Sequence, residues 1–145
     1  MHTVYMSLGS NLGNREENLH TAITEIGKLI GEVVRQSTIY VTEPWGFKSE
    51  NLFTNAAICC HTMHTPREVL QLTQKIERKM GRGKKSIGGQ YHDRIIDIDI
   101  LLFDDITVDE PDLKIPHPLM HERDFVMKPL REILLAEDSK NTSSK

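Results

Sequence analysis

Two aspartates one residue apart in an otherwise apolar run, Asp97 and Asp99 in Arg94-Ile-Ile-Asp97-Ile-Asp99-Ile-Leu-Leu-Phe103, are the side chains here best suited to chemistry. Along an extended strand, side chains alternate between faces. Both carboxylates therefore project from one side, while Ile96, Ile98, Ile100 and Leu102 project from the other. Aspartate is depleted in strands, and two close, partly desolvated carboxylates repel unless a proton or a cation neutralises them. A hard divalent ion with oxygen ligands, Mg²⁺ above all, is the natural neutraliser. The competing reading is a sheet face open to water, with both acids merely solvated, so the surroundings have to decide.

Those surroundings are cationic. Arg82, Lys84, Lys85 and Arg94 flank or occupy a glycine-rich stretch leading into the acids. Arginine forks and lysine point charges suit phosphate oxygens, and Gly83, Gly88 and Gly89 allow a loop to close over a ligand and reopen. Cations beside a metal-binding pair suggest a polyphosphate. Neither Gly9-Ser-Asn-Leu-Gly13 nor the stretch from Gly81 to Ser86 has the GxxxxGK[ST] spacing, and the first also fails the dinucleotide fingerprint. Phosphates would have to be held by side chains and metal.

Further polar groups have weaker signals. Gln74 and Glu77, three apart, share a helix face. His117 sits between two prolines, a rigid elbow able to aim a donor at phosphate. Phe53 and Phe125 could sandwich a flat heterocycle while Asn55, polar in an apolar strand, reads its edge; ordinary core packing is the alternative for these three. His61, His64 and His121 show no metal-ligand spacing.

The elements that must position these groups follow from periodicity and punctuation. Val4 to Leu8 reads as a strand ending in the turn-forming cluster Gly9 to Gly13. Asn14 caps a helix with Glu17 three places on, and Leu19, Ala22, Ile23, Ile26, Leu29 and Ile30 recur at helical spacing before Gly31. Strands are expected over Val33 to Val41 and Leu52 to Met63. Thr65-Pro66-Arg67-Glu68 starts a second helix, which Gly81 ends. The acidic strand follows, finishing at Asp105, with a small edge strand over Ile106 to Val108. A final helix is expected from Asp124 to Ala136.

This order predicts an α+β fold, ferredoxin-like, with a mainly antiparallel sheet, helices packed on one face and mobile loops over the site. At 145 residues a single domain is expected, over 1–136, with a polar, disordered tail over 137–145. A net charge of −3 shows no nucleic-acid footprint, and no apolar run approaches a membrane span of roughly 20 residues. Cys59 and Cys60 are adjacent, hence badly placed to bond to one another, and read as reduced thiols of a cytoplasmic protein.

Together these pieces resemble the 6-hydroxymethyl-7,8-dihydropterin pyrophosphokinases of folate synthesis. The resemblance rests on Gly9-Ser-Asn-Leu-Gly13, Leu52-Phe-Thr-Asn-Ala56, the acidic strand, Ile115-Pro-His-Pro118 and Glu122-Arg123-Asp-Phe125. It implies transfer of diphosphate from ATP to the pterin hydroxymethyl oxygen, with release of AMP. Asp97 and Asp99 would hold two Mg²⁺ ions. Arg82 and Arg94 would stabilise phosphate; Gln74, Glu77, Lys84, Ile100, His117 and Arg123 would complete the ATP site. Phe53, Asn55 and Phe125 would hold the pterin, with Thr42 and Trp45 contributing mainly backbone contacts. Tyr91-His-Asp-Arg94 departs from the family's usual Trp-Gly-Pro-Arg. No nucleic acid, membrane or obligate protein partner is implied. A ferredoxin-like RNA-binding module and a metal-dependent phosphodiesterase are the alternatives.

Overall fold

Alternation along β1 (His2–Ser10) and β4 (Phe53–Thr62) produces two apolar faces, because both strands are buried almost throughout. Val4, Met6, Leu8, Ala56, Ile58 and Cys60 pack on one side against α1 (Arg15–Leu29) and α2 (Pro66–Lys79). Tyr5, Ala57 and Cys59 pack on the other against α3 (Asp124–Ser143). The expectation of helices on one face is thus corrected: a strand pair apolar on both sides needs cover on both. The two cysteines fall on opposite faces as free thiols, and burial pushes Cys60 up to about 11, so it stays protonated.

The structure, a computed structural model, describes residues 1–42, 53–81 and 95–143. Its main sheet is antiparallel in the order β2-β4-β1-β5, with β2 at Gly31–Gln36 and β5 at Asp97–Phe103, and β3 (Tyr40–Thr42) paired to β4. A separate hairpin, β6 (Val108–Glu110) with β7 (Leu113–Ile115), is tied to α2 by Arg67, which pairs with Asp112 at 2.7 Å and also with Glu110. The loops expected to move over the site fall largely outside the described residues.

Both predicted helix starts form. Asn14 accepts from the Glu17 amide, and Thr65 and Glu68 make a reciprocal capping box with Pro66 in the first turn. Several boundaries differ. Gly9 and Ser10 continue β1 rather than turning, since both pair with β4. The expected strand over Val33 to Val41 divides at Ser37, which donates its amide to the Ala57 carbonyl and accepts the Ala57 amide on Oγ. That side chain takes the place of a ladder bond and offsets β3 from β2. The edge strand begins at Val108 instead of Ile106. Helix α3 runs to Ser143, past the end of the apolar periodicity at Ala136 and into the polar tail.

In β5 the register against β1 slips after Met6↔Ile100, so that Tyr5 faces Leu102 and Leu101 is extra. This bulge reverses the alternation. Leu101 and Leu102 both serve the α3 core and Phe103 joins the other, whereas unbroken alternation puts Leu102 with the isoleucines.

Where β2 begins, a Cβ on Gly31 would lie 1.9 Å from the His61 carbonyl oxygen, a backbone atom with no room to yield. Gly31→Ala should lower stability by about 1–3 kcal/mol through overpacking. Urea unfolding measures it, and an unchanged midpoint would mean that the β2–β4 pairing has slack.

Candidate active site

On the α3 side of the sheet, one row crosses four strands: Asp97 pairs with Gly9, Gly9 with Asn55, and Asn55 with Tyr40. The next row sets Asp99 beside Ser7 and Ser7 beside Ala57. Partners in a row point to the same face. Both half-buried carboxylates therefore stand on the face that carries Asn55, separated from it by a glycine that contributes no side chain.

A cavity of about 390 Å³ opens beside the acids. It gathers Gln74, Glu77, Asp97, Asp99, His117 and Arg123, with Leu70, Thr73, Ile98 and Leu119 completing the wall. A second hollow of about 250 Å³ continues along β5 past Ile100 to Leu113 and Lys114. Glu77 is only 3% exposed, and its Oε2 accepts the Ile98 amide at 2.8 Å, between the two aspartates. Part of its carboxylate is thus engaged in holding the acidic strand.

His117 is anchored by its own amide, which donates to the Leu101 carbonyl at 3.0 Å. The Leu119 amide donates to Nδ1 at 3.3 Å, so the neutral ring carries its proton on Nε2 and can donate there. Burial, then the nearby Arg123 charge, hold its pKa below the ordinary 6.5, against a smaller opposite pull from Asp97. A histidine depressed on folding binds fewer protons than the unfolded chain. Its contribution to stability is complete above about pH 6.5 and is lost as pH falls below that value. Thermal unfolding from pH 7.5 down to 5.5 should show this loss, and His117→Asn should remove part of it; identical pH slopes would assign the loss elsewhere.

The rings of Phe53, on β4, and Phe125, in the first turn of α3, lie nearly parallel at 13°, their centroids 6.4 Å apart. A planar guest with van der Waals contact on both faces needs about 7 Å. The centroid separation sets an upper bound on the gap between the ring planes, so the slot is narrower than such a guest needs. Asn55, 2% exposed, stands on β4 two residues from Phe53. Arg123, 7% exposed, lines the cavity and also lies over the Phe125 ring, 5.8 Å from its centroid. One guanidinium thus joins the cavity to the aromatic slot.

Of the residues singled out in the sequence, six meet in the cavity, Ile100 lines its extension, and Phe53, Asn55 and Phe125 form the neighbouring slot. Thr42 pairs with Phe53 through the backbone. Trp45, Arg82, Lys84 and Arg94 lie outside the described residues. Leu70, Thr73 and Lys114 also line the hollows, and no motif in the sequence marks them. Gly9 belongs to a turn-forming cluster by sequence, whereas in the fold it is the gap between the acids and Asn55.

Fold and site define an α+β protein whose α3-side sheet face offers, at its β5 end, paired carboxylates, a buried arginine and a neutral histidine around a polar cleft, a setting suited to a phosphorylated ligand and a cation. The chain belongs to the 7,8-dihydro-6-hydroxymethylpterin-pyrophosphokinase family, whose model matches residues 5–135. It is 47% identical over 134 residues to the 2-amino-4-hydroxy-6-hydroxymethyldihydropteridine pyrophosphokinase of Porphyromonas gingivalis, covering 92% of this chain and 91% of that protein. It is 38% identical over 141 residues to the enzyme of the same name from Bacillus subtilis, covering 97% and 83%. Among solved structures, Plasmodium falciparum HPPK-DHPS superposes with a TM-score of 0.72 at 18% identity, over 90% of this chain and 41% of that one. That last likeness concerns the fold alone.

Proposed function

We propose that this protein transfers a diphosphoryl group from ATP to the hydroxymethyl oxygen of 6-hydroxymethyl-7,8-dihydropterin, giving the pterin diphosphate and AMP, a step of tetrahydrofolate biosynthesis. The observation that carries the reading is the position of Asp97 and Asp99 between the cavity and the aromatic slot, in a chain of this family.

The donor set fits Mg²⁺. Asp97 and Asp99 offer hard oxygen ligands side by side, and among the described residues no group of three or more His, Cys, Asp or Glu side chains is placed to hold a metal ion by itself. Mg²⁺ commonly takes one or two carboxylates and fills its shell with water and substrate phosphate, so the two aspartates would hold two such ions. When bound, Mg²⁺ supplies neutralisation of charge on the phosphate and reacting oxygens.

The chain's own residues bind and align. His117 and Arg123 donate to phosphate oxygens, and Gln74, Glu77 and Ile100 serve the nucleoside end. Arg82, Lys84 and Arg94 supply the remaining positive charge. Phe53 and Phe125 stack on the pterin, Asn55 reads its edge, and Thr42 and Trp45 add backbone contacts. No protein nucleophile is required, because phosphoryl transfer depends mainly on alignment and charge stabilisation. The strand order β2-β4-β1-β5 supports a ferredoxin-like reading of the fold. We read residues 1–136 as one catalytic domain, place the reaction in the cytoplasm, and include no nucleic acid, membrane or obligate protein partner in it.

Incubation with ATP, Mg²⁺ and the hydroxymethyl dihydropterin should yield AMP and the pterin diphosphate in equal amounts. ADP as the main nucleotide product, or ATP hydrolysis that does not need the pterin, would overturn the assignment.

A further inference from the structure

Glu132 on α3 accepts three hydrogen bonds from the segment that leads into and forms β3: from the Thr38 amide at 2.7 Å, from Thr38 Oγ1 at 2.8 Å and from the Tyr40 hydroxyl at 2.7 Å. None of these groups lines the cavity beside Asp97 and Asp99. Their positions in the fold nevertheless connect them to the aromatic slot. Tyr40 is the strand partner of Asn55, and Thr42 is the partner of Phe53. Glu132 follows Phe125 by seven residues, two helical turns or about 10 Å along one side of α3. A single carboxylate thus ties the helix that carries one ring of the slot to the strand flanking the other ring.

We propose that Glu132 is a positioning residue for the pterin, fixing where α3 sits along β3 and β4 and thereby the spacing of Phe53 and Phe125. The inference rests on the pterin reading of that slot.

The apolar contacts of α3 with the sheet, through Val126, Met127, Leu130 and Ile133, cannot serve this purpose alone. Hydrophobic attraction is non-directional and tolerates small slides of a helix over a sheet. Hydrogen bonds at these lengths are directional, and three of them converging on one carboxylate define a position. The tolerance required is small, because a centroid separation of 6.4 Å already falls below the spacing of about 7 Å that a planar guest needs, and any slide of α3 changes it directly. Burial raises the carboxyl's pKa, but the bonds from Tyr40 and Thr38 more than offset it, so Glu132 stays ionised and keeps all its acceptor capacity at neutral pH.

The test compares Glu132→Ala, Glu132→Gln and Tyr40→Phe with the wild type. It measures KM for the pterin, KM for ATP, kcat, and direct pterin binding in the presence of Mg²⁺ and a non-hydrolysable ATP analogue. Glu132→Ala should raise the pterin KM about tenfold and leave the ATP KM within about twofold. The two conservative variants, which keep shape and remove only part of the bonding, should fall between. A merely structural role would lower the unfolding temperature without separating the two KM values, and that result would overturn the inference while leaving the pterin reading intact. So would an unchanged pterin KM in all three variants. Failure of the wild type itself to bind the pterin would overturn both.

Discussion

Asp97→Asn should cut the rate of AMP formation by about 10³-fold or more at saturating substrates while leaving the protein folded. Asparagine matches aspartate in shape, so the half-buried position on β5 and its pairing with Gly9 should survive. What disappears is a full negative charge and an anionic oxygen ligand. Metal-assisted stabilisation of a developing phosphate charge contributes several kcal/mol, and each 1.36 kcal/mol corresponds to tenfold in rate. The stability change should be small or even favourable, because removing one of two adjacent carboxylates relieves their mutual repulsion. Rate measurements over a Mg²⁺ titration, together with denaturant unfolding, separate the two effects. A near wild-type rate at low Mg²⁺ would remove Asp97 from the metal site, and a large loss of stability would reassign it to the fold.

Gly9→Ala should raise the pterin KM about 10²-fold with little effect on ATP-analogue binding, the size expected when a positioning contact moves by about an ångström. The added methyl would lie 2.9 Å from Asn55 Oδ1 and 3.7 Å from the Phe53 ring. Asn55 is almost wholly enclosed, so its amide cannot swing away into solvent at no cost. It must turn, and a donor–acceptor pattern aimed at a heterocycle edge turns with it. Overall stability should hardly fall, since alanine is favoured over glycine in a strand interior by roughly 0.5–1 kcal/mol and this offsets part of the crowding. Equal pterin KM values for variant and wild type would show that Asn55 does not read the ligand or that the site relaxes freely around it.

The sequence made some of this arrangement readable and hid the rest for identifiable reasons. The side-by-side acids follow from strand alternation, which holds from Asp97 to Ile100. The Thr65 capping box is equally local: cap, proline and glutamate lie within four residues, and all behave as their types dictate. Non-local choices were not readable. That Glu77 turns toward the Ile98 amide depends on how α2 lies against β5. The break at Ser37 depends on a hydroxyl finding Ala57 twenty residues away, and the bulge at Leu101 on competition between two cores for successive leucines. Helix α3 took the second face because Tyr5, Ala57 and Cys59 make that face apolar, a pattern visible only once β1 and β4 are paired.

The bond from Ile98 to Glu77 also bears on the behaviour of many molecules together. Among the described residues β5 is the last strand of its path through the sheet, and an edge strand is a template on which another chain can add a strand. Here the outward-facing amide of Ile98 is already taken by a carboxylate from α2, and the aspartates on either side make the edge anionic. An incoming strand would have to displace a buried charge and accept two more beside it. The acids proposed to face a metal and a triphosphate would thus also defend this edge against self-association, and variants that neutralise Glu77 or both aspartates should aggregate more readily on concentration than the wild type.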